Sequence, residues 1–170
     1  MTLTRPSRRG FTLVEILIVV VILGILAAIA VPKFSNASVV ARESALKEDL
    51  RMLRTQVGIY RANHNDVPPG YPGGDTTQAP DATDFINQLT MFTDAVGNVS
   101  ATQTGAYTYG VYVNPMPPNP MTGLSTVKVL GPSDSTTPDG TTGWIYQPST
   151  NIVLANLVGT DSSGMSYSTY

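Results

Sequence analysis

Residues 11–31 read FTLVEILIVVVILGILAAIAV, an apolar run interrupted only by Thr12, Glu15 and Gly24. At about 1.5 Å rise per residue, a helix of this length crosses a hydrocarbon core of about 30 Å. Arg5, Arg8 and Arg9 precede the run, so the positive-inside tendency keeps residues 1–10 in the cytoplasm and sends the rest outward. Two ordinary readings fit this much. One is a single-span anchor. The other is a secretory signal peptide, for which Ala28-Ile29-Ala30 supplies an A-x-A cut site. The run is longer than a usual signal core, and Glu15 is foreign to one. A carboxylate at the centre of a membrane helix costs about 2.5–3.5 kcal/mol, less near an end, so Glu15 needs a partner.

Charge is distributed in blocks along the 170 residues. Six bases (Lys33, Arg42, Lys47, Arg51, Arg54 and Arg61) follow the run closely, and beyond them Lys128 stands alone against eight aspartates. So acidic a region repels phosphate backbones, and no nucleic-acid partner is expected. Cysteine is absent, which excludes disulfides and thiolate metal sites.

After Lys33 the pattern becomes amphipathic. Leu46, Leu50, Leu53, Val57 and Tyr60 recur at spacings of four and three, a stripe that faces a core. Helix is expected from Phe11 to about Asn63, ending before Pro68-Pro69-Gly70, with weak points at Gly24 and at Pro32, which has no amide hydrogen to give. Residues 70–80 read as a loop, and Phe85, Ile86, Leu89 and Phe92 predict a second helix over residues 82–93. Tyr107–Val113 alternates and reads as extended, though Gly110 weakens it. The tract Pro115-Met116-Pro117-Pro118-Asn119-Pro120 is expected to lie over the surface in polyproline form, where an aromatic groove could recognise it. Strands are expected at residues 126–130, 143–147 and 151–158, the last two joined as a hairpin through Pro148-Ser149-Thr150. The fold class is α+β: a long N-terminal helix, half membrane and half amphipathic, packed on a small antiparallel sheet.

Little here supports catalysis. His64, the only histidine, falls at a helix end, where contact with the helix dipole is the ordinary explanation. There is no cysteine nucleophile, glycine-rich phosphate loop or pair of catalytic carboxylates, and Asp94-Ala95-Val96-Gly97-Asn98 reads as a turn. A non-enzyme is expected.

The octet Arg8-Arg9-Gly10-Phe11-Thr12-Leu13-Val14-Glu15, continued through Pro32 to about Ala45, resembles the N-terminus of type IV prepilins and of the pseudopilins of type II secretion systems. The tracts NPMPPNPMTG, GWIYQP and NIVLANL resemble the outer domains of major pseudopilins more loosely. The resemblance implies a cytoplasmic leader of residues 1–10, a retained membrane and filament-core helix over 11–31, an amphipathic helix over 32–64 and an α+β head over 65–170 outside the cytoplasm. It implies that a prepilin peptidase cuts between Gly10 and Phe11 and methylates the new Phe11 amine. That amine has a reference pKa of about 7.7–8.0 and is mostly cationic near neutrality. By spacing, Glu15 could meet the amine of its own chain, four residues away; the resemblance implies the amine of a neighbouring subunit instead. The partners implied are identical subunits in a helical filament, an inner-membrane assembly platform, and minor pilins or pseudopilins. The helix near Gly24 and Pro32 would bend or melt on packing. Lack of a cysteine pair favours a pseudopilin over a type IV pilus pilin serving adhesion, motility or DNA uptake. An anchored protein that never polymerises is the remaining alternative. No cofactor is expected; major pseudopilins often hold calcium in an acidic C-terminal loop, for which Asp134, Asp139 and Asp161 are weak candidates.

Overall fold

The computed structural model describes residues 10–170; Arg5, Arg8 and Arg9 lie outside the described residues. Contacts divide the chain into two compact units, one ending at Val39 and the other comprising Val40–Tyr170.

A single helix, α1 (Leu13–Asn63), runs through both units. Its first stretch, Leu13–Ala30, is long and apolar enough to cross a membrane, and none of it is buried. Backbone helix continues through the expected weak points at Gly24 and Pro32. Proline removes one helical hydrogen bond, and the intact turns on either side maintain the helix across that gap. The Pro32 side chain lies outside what is described.

In the second unit, the predicted stripe is the core. Leu46, Leu50, Leu53, Val57 and Tyr60 are each at most 1% exposed and share one cluster with Phe85, Leu89, Val127, Trp144, Tyr146, Val153 and Ala155. Helix α2 (Ala82–Thr90) starts where the Asp81 carboxylate accepts the amides of Thr83 and Asp84. It stops three residues earlier than expected, because Met91 turns extended and Phe92–Thr93 becomes β1, antiparallel to β2 (Val99–Ser100). Between these strands Asp94 Oδ1 accepts the amides of Val96, Gly97 and Asn98, which makes the segment a turn, as expected. Tyr107–Val113 forms no strand; Tyr109 alone bridges to Thr93.

Strands β3 (Val127–Val129), β4 (Trp144–Gln147) and β5 (Ile152–Ala155) form the main sheet in that order. The expected hairpin joins β4 to β5 antiparallel, with Tyr146 opposite Val153. The sheet as a whole is mixed, not antiparallel, because β3 runs parallel to β4 with Val127 opposite Trp144. A parallel pair needs a crossover of about a dozen residues, and residues 130–143 provide one. The proline-rich tract also departs from expectation. Met116 and Asn119 are buried, the Pro117 carbonyl accepts the Trp144 indole N–H at 2.9 Å, and the Asn119 amide donates to the Gly143 carbonyl at 2.8 Å. A buried indole N–H needs an acceptor, and this tract supplies it.

Candidate assembly site at the helix N-terminus

Gly10, Phe11 and Thr12 are non-helical, and Phe11 is 82% exposed. The bond between Gly10 and Phe11 therefore lies outside α1. The reason is local. Thr12 is the N-cap: its Oγ1 accepts the Glu15 amide at 3.2 Å, while Glu15 Oε2 accepts the Thr12 amide at 2.8 Å and the Thr12 hydroxyl at 2.9 Å. This reciprocal pairing is a capping box, and a carboxylate in the first turn also suits the helix dipole. The sequence reading missed this role for Glu15, although T-x-x-E is its written signature. The box occupies one carboxylate oxygen; among the described residues Oε1 accepts no hydrogen bond. The site thus holds an oriented acid with one acceptor oxygen left over, four residues along the chain from Phe11.

Around it the helix is apolar on all sides. Leu17, Val20, Leu23 and Leu26 each expose more than half of their surface. A helix apolar all round is stable only in hydrocarbon or among other helices.

The remaining candidates serve the head. His64 is buried at the end of α1, its Nδ1 2.7 Å from the Tyr60 carbonyl and its Nε2 3.0 Å from the Thr93 hydroxyl. Its ring stacks on Tyr60 at 3.8 Å, so it joins α1 to β1. The three acids considered for calcium do not converge: among the described residues no three acidic or histidine side chains come together as ligands. Asp134 accepts the Gly131 amide at 2.7 Å. Asp139 pairs with Lys128 at 2.6 Å, and that contact, with help from Thr141 and Asn156, holds its carboxyl well below the usual range. Asp161 is likewise held low, chiefly by the Tyr170 hydroxyl and then by Ser163.

Comparison with known proteins agrees with the helix and extends beyond it. Residues 5–31 match the prokaryotic N-terminal methylation motif. The type IV major pilin protein PilA of Myxococcus xanthus is 50% identical over 50 residues, which is 29% of this chain and 23% of that protein. The type II secretion system core protein G of Pseudomonas aeruginosa is 36% identical over 69 residues, 41% of this chain and 49% of that protein. The chain therefore spans half or less of these two relatives. Core protein G of Aeromonas hydrophila is 30% identical over 116 residues, covering 68% of this chain and 69% of that protein. No solved structure matches significantly. With the N-terminal motif and a relative 30% identical over 68% of the chain, the chain belongs to the type IV pilin-like family, as a structural subunit of the pilin or pseudopilin kind.

Proposed function

We propose that this chain is a major pseudopilin of a type II secretion system. The observation that carries the reading is the reach of the similarity. The match to Aeromonas core protein G extends over 116 residues and so into the head, whereas the match to Myxococcus PilA covers 50 residues and is confined to less than a third of the chain.

In this reading a prepilin peptidase cuts the non-helical Gly10–Phe11 bond and methylates the Phe11 amine. The processed subunit waits in the inner membrane as a single-pass protein with its head outside the cytoplasm. An assembly platform and minor pseudopilins then start the filament. Each subunit leaves hydrocarbon only by exchanging it for neighbouring helices, which buries the same apolar surface without lipid. The cationic amine of one subunit docks on Glu15 of the next and sets the axial step. The precursor lacks that amine, so cutting licenses assembly. Glu15 Oε1 is available for this docking while Oε2 keeps the helix capped.

The 50% identity to PilA supports type IV pilus pilin as the second reading. Deleting the gene separates the two. Loss of secreted protein from the medium, with surface filaments, motility and DNA uptake intact, supports the pseudopilin. Intact secretion with lost surface filaments would overturn it in favour of the pilus. Processing is tested by mass spectrometry of the mature N-terminus: methylated Phe11 is expected, and Val31 as first residue would restore a signal peptide.

A further inference from the structure

The buried carboxylate of Glu43 takes no part in the assembly site. It lies in the second unit, on α1, and is 5% exposed. Its partners all come from the far end of the chain. Oε1 accepts the Ser162 amide at 2.8 Å and the Tyr167 hydroxyl at 3.2 Å, and Oε2 accepts the Ser162 hydroxyl at 2.6 Å. One turn further along α1, Lys47 Nζ lies 3.9 Å from Asp161 Oδ2 and 4.2 Å over the Tyr170 ring. Two turns beyond that, the Arg54 guanidinium donates to the Val153 and Tyr170 carbonyls. Within residues 159–170, Asp161 Oδ1 accepts the Ser163 amide and hydroxyl and the Met165 amide, and Oδ2 accepts the Tyr170 hydroxyl.

We infer that residues 159–170 form a strap fastened to α1 by Glu43, Lys47 and Arg54, and that this fastening takes the place of a calcium ion in closing the C-terminal loop. The chemistry of the donor set is the reason. Calcium needs six to eight oxygens presenting lone pairs at about 2.3–2.6 Å. All four oxygens of Glu43 and Asp161 already face N–H or O–H hydrogens, and the cationic position beside Asp161 belongs to an ammonium. A metal there would meet donor hydrogens and Lys47. Loop residues cannot satisfy both, and the hydrogen-bonded set is complete. A buried carboxylate with three donors is also costly to unpair, so the strap resists opening.

The test uses the full processed chain in detergent micelles. Amide exchange at Ser162 and Met165, and the thermal midpoint, are measured in calcium and in EDTA. Equal protection and equal midpoints in both are expected. Glu43→Gln should speed Ser162 exchange by roughly tenfold or more, since it weakens hydrogen bonds to a charged acceptor. Ser162→Ala and Tyr167→Phe each remove one hydroxyl and should speed it less; they serve if Glu43→Gln fails to fold. Faster exchange in EDTA, or a midpoint raised by calcium and insensitive to these variants, overturns the inference. So does unchanged Ser162 exchange in all three variants.

Discussion

Helix α1 is one element with two kinds of side-chain surroundings. Leu23, in the first unit, is 58% exposed; Leu53, in the second, is 0% exposed. Nothing in the backbone distinguishes them, since both are interior helical residues. The difference lies in the neighbours the sequence places on each side. Over Leu13–Ala30 apolar residues surround the helix, and among the described residues of its unit nothing covers them. After Val40, they narrow to one stripe and the head fills it. The comparison teaches that the same leucine does different things: at position 53 it stabilises the fold of the head, whereas at position 23 its exposed surface is what the proposed function places in a membrane or among other subunits.

The largest expected effect breaks the first unit alone. If Glu15 receives a neighbour's amine, as proposed, Glu15→Ala removes that acceptor and makes the span more apolar, so insertion and cutting should persist while filament yield falls to background. Sheared filaments are measured against total processed subunit. Normal yield from processed Glu15→Ala chains would show that the acid serves only its own chain, through Thr12 or its own amine. Glu15→Gln keeps a cap acceptor but no charge, and should assemble nearly as poorly as the alanine variant.

Next comes the matched pair that defines the comparison. Leu53→Ala leaves a cavity in a packed core and should cost about 2–5 kcal/mol of head stability. Leu23→Ala should leave head unfolding where it was and reduce filament yield instead. Urea titration followed by Trp144 emission reads the first, since Trp144 is the sole tryptophan and is 0% exposed. Equal losses of head stability from both variants would erase the distinction. A smaller loss, about 1 kcal/mol, is expected from Asp81→Ala, which strips α2 of its N-cap bonds to Thr83 and Asp84.

The two units were also unequally readable from sequence. Period and polarity located the stripe from Leu46 to Tyr60, α2 and the β4–β5 hairpin, because each is a local pattern with one buried face. The N-terminal motif matched over residues 5–31 is legible without any structure, and the roles it implies for Gly10, Phe11 and Glu15 belong to the proposed function. What stayed hidden depends on pairs distant in the chain. The parallel union of β3 with β4 is a matter of topology, which alternation of side chains does not encode. Glu43 looks like any solvated helix acid until Ser162, over a hundred residues away, closes on it. The proline tract misled because composition suggests an exposed segment, whereas Asn119 and Met116 point into the core. At Pro32 the backbone of the single chain stays helical, and the bending there on subunit packing belongs to the proposed function.

The smallest effect belongs to the crossover between β3 and β4, and it sharpens the account of the head. Lys128 Nζ donates to Asp139 Oδ2 at 2.6 Å, while Thr141 and Asn156 donate to Oδ1. These contacts favour the ionised carboxylate and hold it below its ordinary range. An aspartate depressed in the folded state stabilises the fold fully above its unfolded pKa of about 3.9, and that stabilisation fades as pH falls through the folded value. Asp139→Asn should therefore be modestly less stable than the parent at neutral pH, with the gap closing as pH drops below about 4. Asp161 is depressed in the same direction but is present in both proteins, so its contribution cancels in the difference. Both members of the Lys128–Asp139 pair keep more than a third of their side-chain surface in water, so the effect should be small and should shrink further in high salt. Urea midpoints of parent and variant, measured between pH 7 and pH 3, decide it. A gap that stays constant across that range would mean that Asp139 acts through the shape of its hydrogen bonds to Thr141 and Asn156, which an asparagine oxygen can still accept, and not through its charge.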